Sequence, residues 1–402
     1  MNETRKQYFS SIIYKVLIVA ISFIDTIIIN RALTVEMRGE YGVIINTITI
    51  LNLIFSINLG ASYQLLYNKV KDVDKLYINA ISFQFFLYCI VSLFVFLCSL
   101  SAYIFTILIV TSVFVLRDNI SSVNLVENIE NRNKLYLWST VLYTLVILLM
   151  FILEIKNYYW YIYALIVRYL VETTLSFVRY KYKLSNWKQY LFNKTSYNTL
   201  RTVLSNSIAI SIIALLITCN YNLDIIMLKY FGVNSYDIGL YSVAATLVNM
   251  VWIIPDAFKD VLINRLSRTI SDKEVKISIK YNIIFCLILI VLFSLAGRFF
   301  ISLFYGKDYV DSFVYTLILL AGSIPMIYYK LINPYLLSIN KKKVIIYCLL
   351  ASVIANIISN ILIIPAYGAK GAAYSSVISY TLCGVLFYYY FKQNIESQIK
   401  SK

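Results

Sequence analysis

The 402 residues are 60% apolar and 14% charged, with a formal net charge of +16 and no histidine. A soluble domain carries roughly 25% charged residues, and the long uncharged runs here would leave a soluble protein no polar surface. The lack of histidine excludes a His-based proton relay, a His metal site and a Ser-His triad. The basic excess suggests a nucleic-acid partner, but its position argues against one, because Lys and Arg sit in short loops between apolar runs. The six cysteines (Cys89, Cys98, Cys219, Cys286, Cys348, Cys383) lie within apolar runs and form no Cys-x-x-Cys pair, so they read as small apolar residues.

Runs near 18–20 apolar residues are long enough to cross a bilayer as helices. Taken in order they predict helices at about 11–32, 41–66, 77–99, 102–125, 135–153 and 159–180. The second half follows at about 203–229, 239–263, 281–304, 313–338, 344–365 and 371–391. The first run continues past Ile29, too long for a cleaved signal segment, and stays as a transmembrane helix. The expectation is an all-α integral membrane protein of about twelve helices in two six-helix lobes, 1–180 and 203–402. The segment 181–202 links them. It is basic, and Trp187, Tyr190 and Phe192 suit either a solvated loop or the interface of an anionic leaflet.

The halves echo each other. The stretch 23–44 (FIDTIIINRALTVEMRGEYGVI) has an acid in an apolar run, a cation at its end, a polar turn and a Gly-x-Tyr entry into the next run. The stretch 220–245 (NYNLDIIMLKYFGVNSYDIGLYSVAA) repeats that order, matching Asp25 with Asp224 and Arg31 with Lys229. Similar halves packed about an axis place a transport site between them.

With an even number of spans the termini and alternate loops share a side. Those segments hold Lys and Arg over the other loops by about four to one, which puts both termini in the cytoplasm. Arg31, Arg38, Lys156, Lys229, Lys307 and Lys370 fall on the outer side.

Ionisable side chains at membrane depth are costly and are site candidates by default. Arg168 and Glu172, four apart on one helix face, read as a self-neutralising pair. Arg117 and Asp118 are adjacent, about 100° apart on a helix, and call for partners on other helices. Arg298 lies near an outer helix end and can snorkel. Lys15 and Lys259 fall toward the cytoplasmic ends of the first and eighth helices, where facing ammonium groups would suit an anionic headgroup such as a pyrophosphate. Asp256 sits one turn before Lys259 and can neutralise it. Asp25 and Asp224 can bind a coupling ion, H⁺ or Na⁺, or pair with cations. Lys330 and Arg31 complete the set of cavity or coupling candidates. Asn46, Asn52, Asn58 and Asn249 are candidates to line a polar cavity for a sugar. Pro255 predicts a bend in the eighth helix, either a hinge or a fixed kink, and Pro365 a helix end.

The stretch 351–380 runs Asn356, Asn360, an apolar segment, Pro365, Tyr367-Gly368-Ala369, Gly371-Ala372-Ala373 and then small hydroxyl residues. This order resembles the C-terminal signature of the polysaccharide flippases of the multidrug/oligosaccharidyl-lipid/polysaccharide (MOP) exporter superfamily. Asn30 to Leu33 with Glu36, Arg38-Gly39 and Tyr41, the Asp224 to Tyr241 echo, and Tyr305-Gly306-Lys307-Asp308-Tyr309 fit the same resemblance. It implies two lobes with a MATE-like fold and alternating access. By chain length it looks like the Wzx-type O-antigen or capsule repeat-unit flippases. Such proteins move an undecaprenyl-pyrophosphate-linked oligosaccharide across the bacterial inner membrane for O-antigen and lipopolysaccharide or capsule synthesis. A polysaccharide polymerase and a chain-length regulator are then expected partners, beside membrane lipids. An ion-coupled multidrug or cation antiporter of the same superfamily is the alternative. An enzyme is not expected, since no soluble segment is large enough for a glycosyltransferase site. No Gly-x-x-x-x-Gly-Lys-[Ser/Thr] loop is present, so ATP is not the direct driver, and no cofactor beyond a coupling ion is expected.

Overall fold

The computed structural model describes residues 3–66, 73–98, 101–179, 197–266 and 271–400. The first half forms α1 (Glu3–Ala32), α2 (Val35–Ser56), α3 (Leu59–Leu66), α4 (Val73–Leu97), α5 (Ala102–Glu127), α6 (Ile129–Ile152) and α7 (Tyr158–Arg179). The second half forms α8 (Tyr197–Tyr230), α9 (Ser235–Val251), α10 (Ile253–Leu266), α11 (Asp272–Phe304), a 3₁₀ turn (Lys307–Tyr309), α12 (Ser312–Ser338) and α13 (Lys342–Lys400). Among the described residues, nine helices are long and apolar enough to span a bilayer, and the last of these holds two legs that meet at Gly368. The surface is inverted relative to a soluble protein. Leu97, Leu295, Phe299 and Leu362 are each at least 70% exposed, while Asn356, Asn360, Ser352 and Ser375 are fully buried. Apolar residues outside and polar ones inside is the arrangement a hydrocarbon solvent selects, and the chain is a multi-pass membrane protein.

The predicted elements are present, with four differences that have local causes. The helix expected over 41–66 starts at Val35 and breaks after Ser56, where Ile57 and Asn58 take positive φ of 47° and 45°. The break frees carbonyls at the end of α2, and α4 satisfies them. Gln84 Nε2 donates to Phe55 O (3.0 Å) and Ser56 O (3.3 Å), and Tyr88 OH also donates to Phe55 O. The helix expected over 239–263 is interrupted at Trp252. Pro255 has no N–H to give Val251 O four residues back, so the interruption falls where its ring predicts.

The third difference lies in the hairpin, where Pro365 does not end a helix. The chain stays helical through it, and Gly368 makes the turn with φ 54° and ψ −133°. A Cβ at Gly371 would lie 2.7 Å from Ile363 O, so this glycine is required for close approach of the two legs. Helix ends facing the basic loops run further than the apolar runs indicate. α11 begins at Asp272, not near 281, because Ser271 Oγ caps Glu274 N (3.4 Å) and Asp272 and Glu274 fill an acidic first turn.

The chain forms two compact units: Met1–Leu33 with Thr47–Leu215, and Thr34–Asn46 with Leu216–Lys402. In the first unit α1 packs on α6, α5 on α7 and α4, and α6 on α7. In the second unit α12 is central and packs against α9, α10, α11 and α13. The segment 181–196, with Trp187, Tyr190 and Phe192 of the expected basic linker, lies outside the described residues, and 197–202 begins α8.

Candidate transport site

The second unit contains a carboxylate with four hydrogen-bond donors. Asp224 on α8 is 1% exposed. Its Oδ1 accepts from Asn356 Nδ2 (2.9 Å) and Asn360 Nδ2 (2.7 Å) on α13, and its Oδ2 accepts from Tyr241 OH (2.9 Å) on α9 and from Ser376 Oγ. Each of these donors is neutral, and the nearby Lys229 turns away to pair with Glu40. A buried carboxylate held only by neutral groups is expensive while charged. A carboxylate in such a setting of amide N–H and hydroxyl donors is a candidate to take up a proton, or a small monovalent cation if those donors turn away. Asn356 and Asn360 sit one turn apart on one leg, and Tyr241 is the tyrosine of the second Gly-x-Tyr, so the repeat itself carried part of this cluster.

The matched acid in the first unit has different company. Asp25 is 5% exposed, accepts from Thr144 Oγ1 (2.5 Å) on α6, and interacts electrostatically with Arg168. Arg168 donates to Thr140 Oγ1 (2.8 Å) and lies over the rings of Tyr136 (5.2 Å) and Tyr143 (5.5 Å). The expected Arg168–Glu172 pair is not formed. Glu172 is taken by Arg117 across α5 and α7 (2.9 Å), where both side chains are nearly buried, and the buried pair wins over the i,i+4 contact on one helix. Arg117 also bonds its neighbour Asp118 (2.7 Å), whose other oxygen accepts from Asn52 Nδ2 on α2 (2.8 Å). The adjacent pair thus meets despite its angular offset, and each member also holds a partner on another helix. A polar chain runs Asp25, Thr144, Thr140, Arg168, Tyr136, Arg117, Glu172 through the first unit.

In the second unit, two ammonium groups converge on one carboxylate. Asp256 Oδ1 takes Lys259 Nζ (2.9 Å) and Oδ2 takes Lys330 Nζ (2.8 Å). Lys330 is 7% exposed and Lys259 33%, so the first is a buried anchor and the second faces outward. Lys330 also lies 5.3 Å from the Trp252 ring centre and 5.7 Å from that of Tyr221. Trp252 is fixed by its own indole N–H, which donates to Ser323 Oγ (2.9 Å) on α12. The interruption after α9 therefore positions the site: it presents Trp252 inward and turns Asp256 and Lys259 toward α12. Lys259 was expected from the sequence, but its union with Lys330, 71 residues away, depends on packing.

The two Gly-x-Tyr stretches meet. The segment Thr34–Asn46 belongs to the same unit as α9. A Cβ at Gly39 would lie 2.1 Å from Ser235 O, and one at Gly239 2.0 Å from Val35 O, so the backbones touch. Around them Arg38 donates to Ser242 Oγ (2.9 Å), and Glu40 accepts from Ser235 Oγ (2.5 Å) and from Lys229. Glu40, absent from the expected set, lies between the two motif residues Gly39 and Tyr41.

The remaining expected residues are dispersed. Lys15 is exposed on α1 in the first unit, Arg31 is exposed at the end of the same helix, and Asn249 is exposed on α9. Asn46 donates to Gly42 O of its own helix (2.7 Å), and Asn58 donates its backbone N–H to Ser56 Oγ (3.2 Å) within the α2–α3 turn. Arg298 lies over the Phe313 ring (5.2 Å).

No protein-family model and no curated protein matches the sequence. Solved structures do. An inward-facing multidrug resistance MATE family transporter of the MOP superfamily is similar with a TM-score of 0.74 and 11% identity, over 96% of each chain. The lipid II flippase MurJ, in an inward closed conformation, is similar with a TM-score of 0.67 and 12% identity, over 96% of this chain and 87% of its own. A Vibrio cholerae MATE transporter follows at 0.63 and 13%, over 98% and 96%. At these identities the likeness establishes the fold: this chain has the all-helical fold of the MOP-superfamily transporters.

Proposed function

We propose that this chain is a flippase that moves undecaprenyl-pyrophosphate-linked oligosaccharide units from the cytoplasmic to the outer leaflet of the inner membrane, for O-antigen or capsule assembly. The observation that carries this reading is the Lys259–Asp256–Lys330 cluster. Two ammonium groups around one carboxylate leave a net positive charge at membrane depth, which attracts an anionic headgroup and repels a cationic drug. The pyrophosphate engages Lys259, the more exposed of the two. Lys330 keeps Asp256 paired while Lys259 turns to the ligand. The sugar is contacted by polar side chains along the translocation path, while the lipid tail stays in the bilayer. No covalent step is involved. The Asp224 pocket binds the coupling ion, H⁺ or Na⁺. Asp25 has Arg168 nearby as a built-in counter-cation and is the poorer ion site. A polymerase and a chain-length regulator are the downstream partners.

A second reading, an ion-coupled multidrug antiporter, is favoured by the buried carboxylates Asp25 and Asp224 and by the MATE transporters among the similar structures. Reconstitution separates the two. In proteoliposomes carrying a labelled polyprenyl-pyrophosphate oligosaccharide, the label becomes accessible to an impermeant reagent in the presence of protein, and Lys259→Gln slows that exposure at least tenfold. Extrusion of cationic dye without any movement of the lipid-linked sugar sinks the flippase reading.

A further inference from the structure

A groove of about 370 Å³ opens between α11, α12 and the second leg of α13, all in the second unit. Its walls are graded along α11. Lys276 and Lys280, one turn apart, stand at its polar end, followed by Ile283 and Ile284 one turn deeper, with Tyr328 of α12 and Tyr388 of α13 beside them. The two tyrosines hold each other edge to face at 5.5 Å. Lys276 is bound to Asp272 (3.1 Å) in an exposed pair, and Lys280 is exposed and has no ion-pair partner among the described residues.

This end of the unit is basic by topology as well. α12 ends there, α13 begins there and its second leg returns there, which gathers Lys341, Lys342, Lys343 and Lys392 on the side where α11 starts. That side is the cytoplasmic one by the loop-charge rule, and the cytoplasmic leaflet carries the anionic lipids. Ammonium groups at the rim, with isoleucines and tyrosine rings one turn deeper, repeat the polar-to-apolar depth order of a phospholipid: phosphate, then acyl chain. The cavity far exceeds the ~30 Å³ share of a water molecule and is wide enough for part of a chain.

We propose that this groove is a binding site for an anionic glycerophospholipid of the cytoplasmic leaflet, with its phosphate on Lys276 and Lys280 and one acyl chain against Ile283, Ile284 and Tyr328. The site is independent of the flippase reading, because it lies on different helices from Lys259 and needs only the membrane setting.

Native mass spectrometry of the full chain tests it. Delipidated protein is titrated with phosphatidylglycerol and, separately, with phosphatidylcholine. Wild type retains phosphatidylglycerol in preference. Lys276→Gln with Lys280→Gln lowers that retention about thirtyfold, the scale of losing two interfacial cations, to the level of phosphatidylcholine, whereas Lys276→Arg with Lys280→Arg keeps it. Ile284→Trp, at a site 45% exposed and therefore tolerant of bulk, fills the groove and weakens both lipids. Equal retention of the two lipids by wild type, or undiminished phosphatidylglycerol on the double Gln variant, overturns the proposal. So does displacement of the bound phospholipid by a polyprenyl pyrophosphate at equal concentration, which would assign the groove to a transported substrate.

Discussion

Asp256 is held by two cations that differ in burial, and this sets an order on their removal. Asp256→Ala strands Lys330, 7% exposed, as an unpaired buried charge, which costs about 3–5 kcal/mol. Lys259→Ala removes a partner one third exposed and costs at most about 1 kcal/mol. Thermal unfolding in detergent should therefore show a large drop for the first variant and a small one for the second, with Lys330→Met restoring much of the loss in the Asp256→Ala background. Equal drops would contradict the assignment of Lys330 as the buried member. Asp224→Asn keeps a carbonyl oxygen on Asn356 and Asn360 but turns its NH₂ to the hydroxyls of Tyr241 and Ser376, which must then accept instead of donate, and so loses about 1 kcal/mol of stability. It should also abolish the dependence of transport on pH or Na⁺, while Lys259→Gln lowers substrate affinity and leaves that dependence in place. A transport rate that keeps its ion dependence in Asp224→Asn removes Asp224 from the coupling role.

At the scale of elements, sequence periodicity located the helices but not their interruptions or their partners. Apolar length is local and survives reading in one dimension. The break at Asn58 depends on Gln84 and Tyr88 arriving from α4, and the choice of Arg117 over Arg168 as the partner of Glu172 depends on how α5 lies against α7. Pro255 was legible because it acts on its own helix, whereas Pro365 misled, since the turn it announced needed a positive φ that only Gly368 supplies. The Gly-x-Tyr echo carried more than repetition: Gly39 and Gly239 bring backbones into contact beside the Glu40–Lys229 ion pair. The proposed orientation puts this contact on the outer side, and the proposed alternating access has it part there. Gly239→Val should loosen it, because the added methyl groups meet the backbone of Val35. The readout is labelling of Ser242→Cys by an impermeant thiol reagent applied from outside, with the exposed Cys89 and Cys98 changed to Ser. Faster labelling in Gly239→Val is expected, and an unchanged rate would show that the contact does not close that side.

At the scale of the molecule, the fold class followed from hydropathy, and the solved structures of similar fold agree with it at 11–13% identity. The substrate is not written in that fold, which serves both drug transporters and a lipid II flippase among those structures. Orientation is testable by itself: a fluorescent protein fused after Lys402 should fluoresce, and alkaline phosphatase fused after Lys307 should be active, while the reverse pattern would invert the protein. The central claim is tested most directly by deleting the gene in its own host and locating the undecaprenyl-linked repeat unit. The account predicts loss of surface polysaccharide, with the lipid-linked unit accumulating on the cytoplasmic leaflet. Intact surface polysaccharide with only an altered drug sensitivity would contradict it.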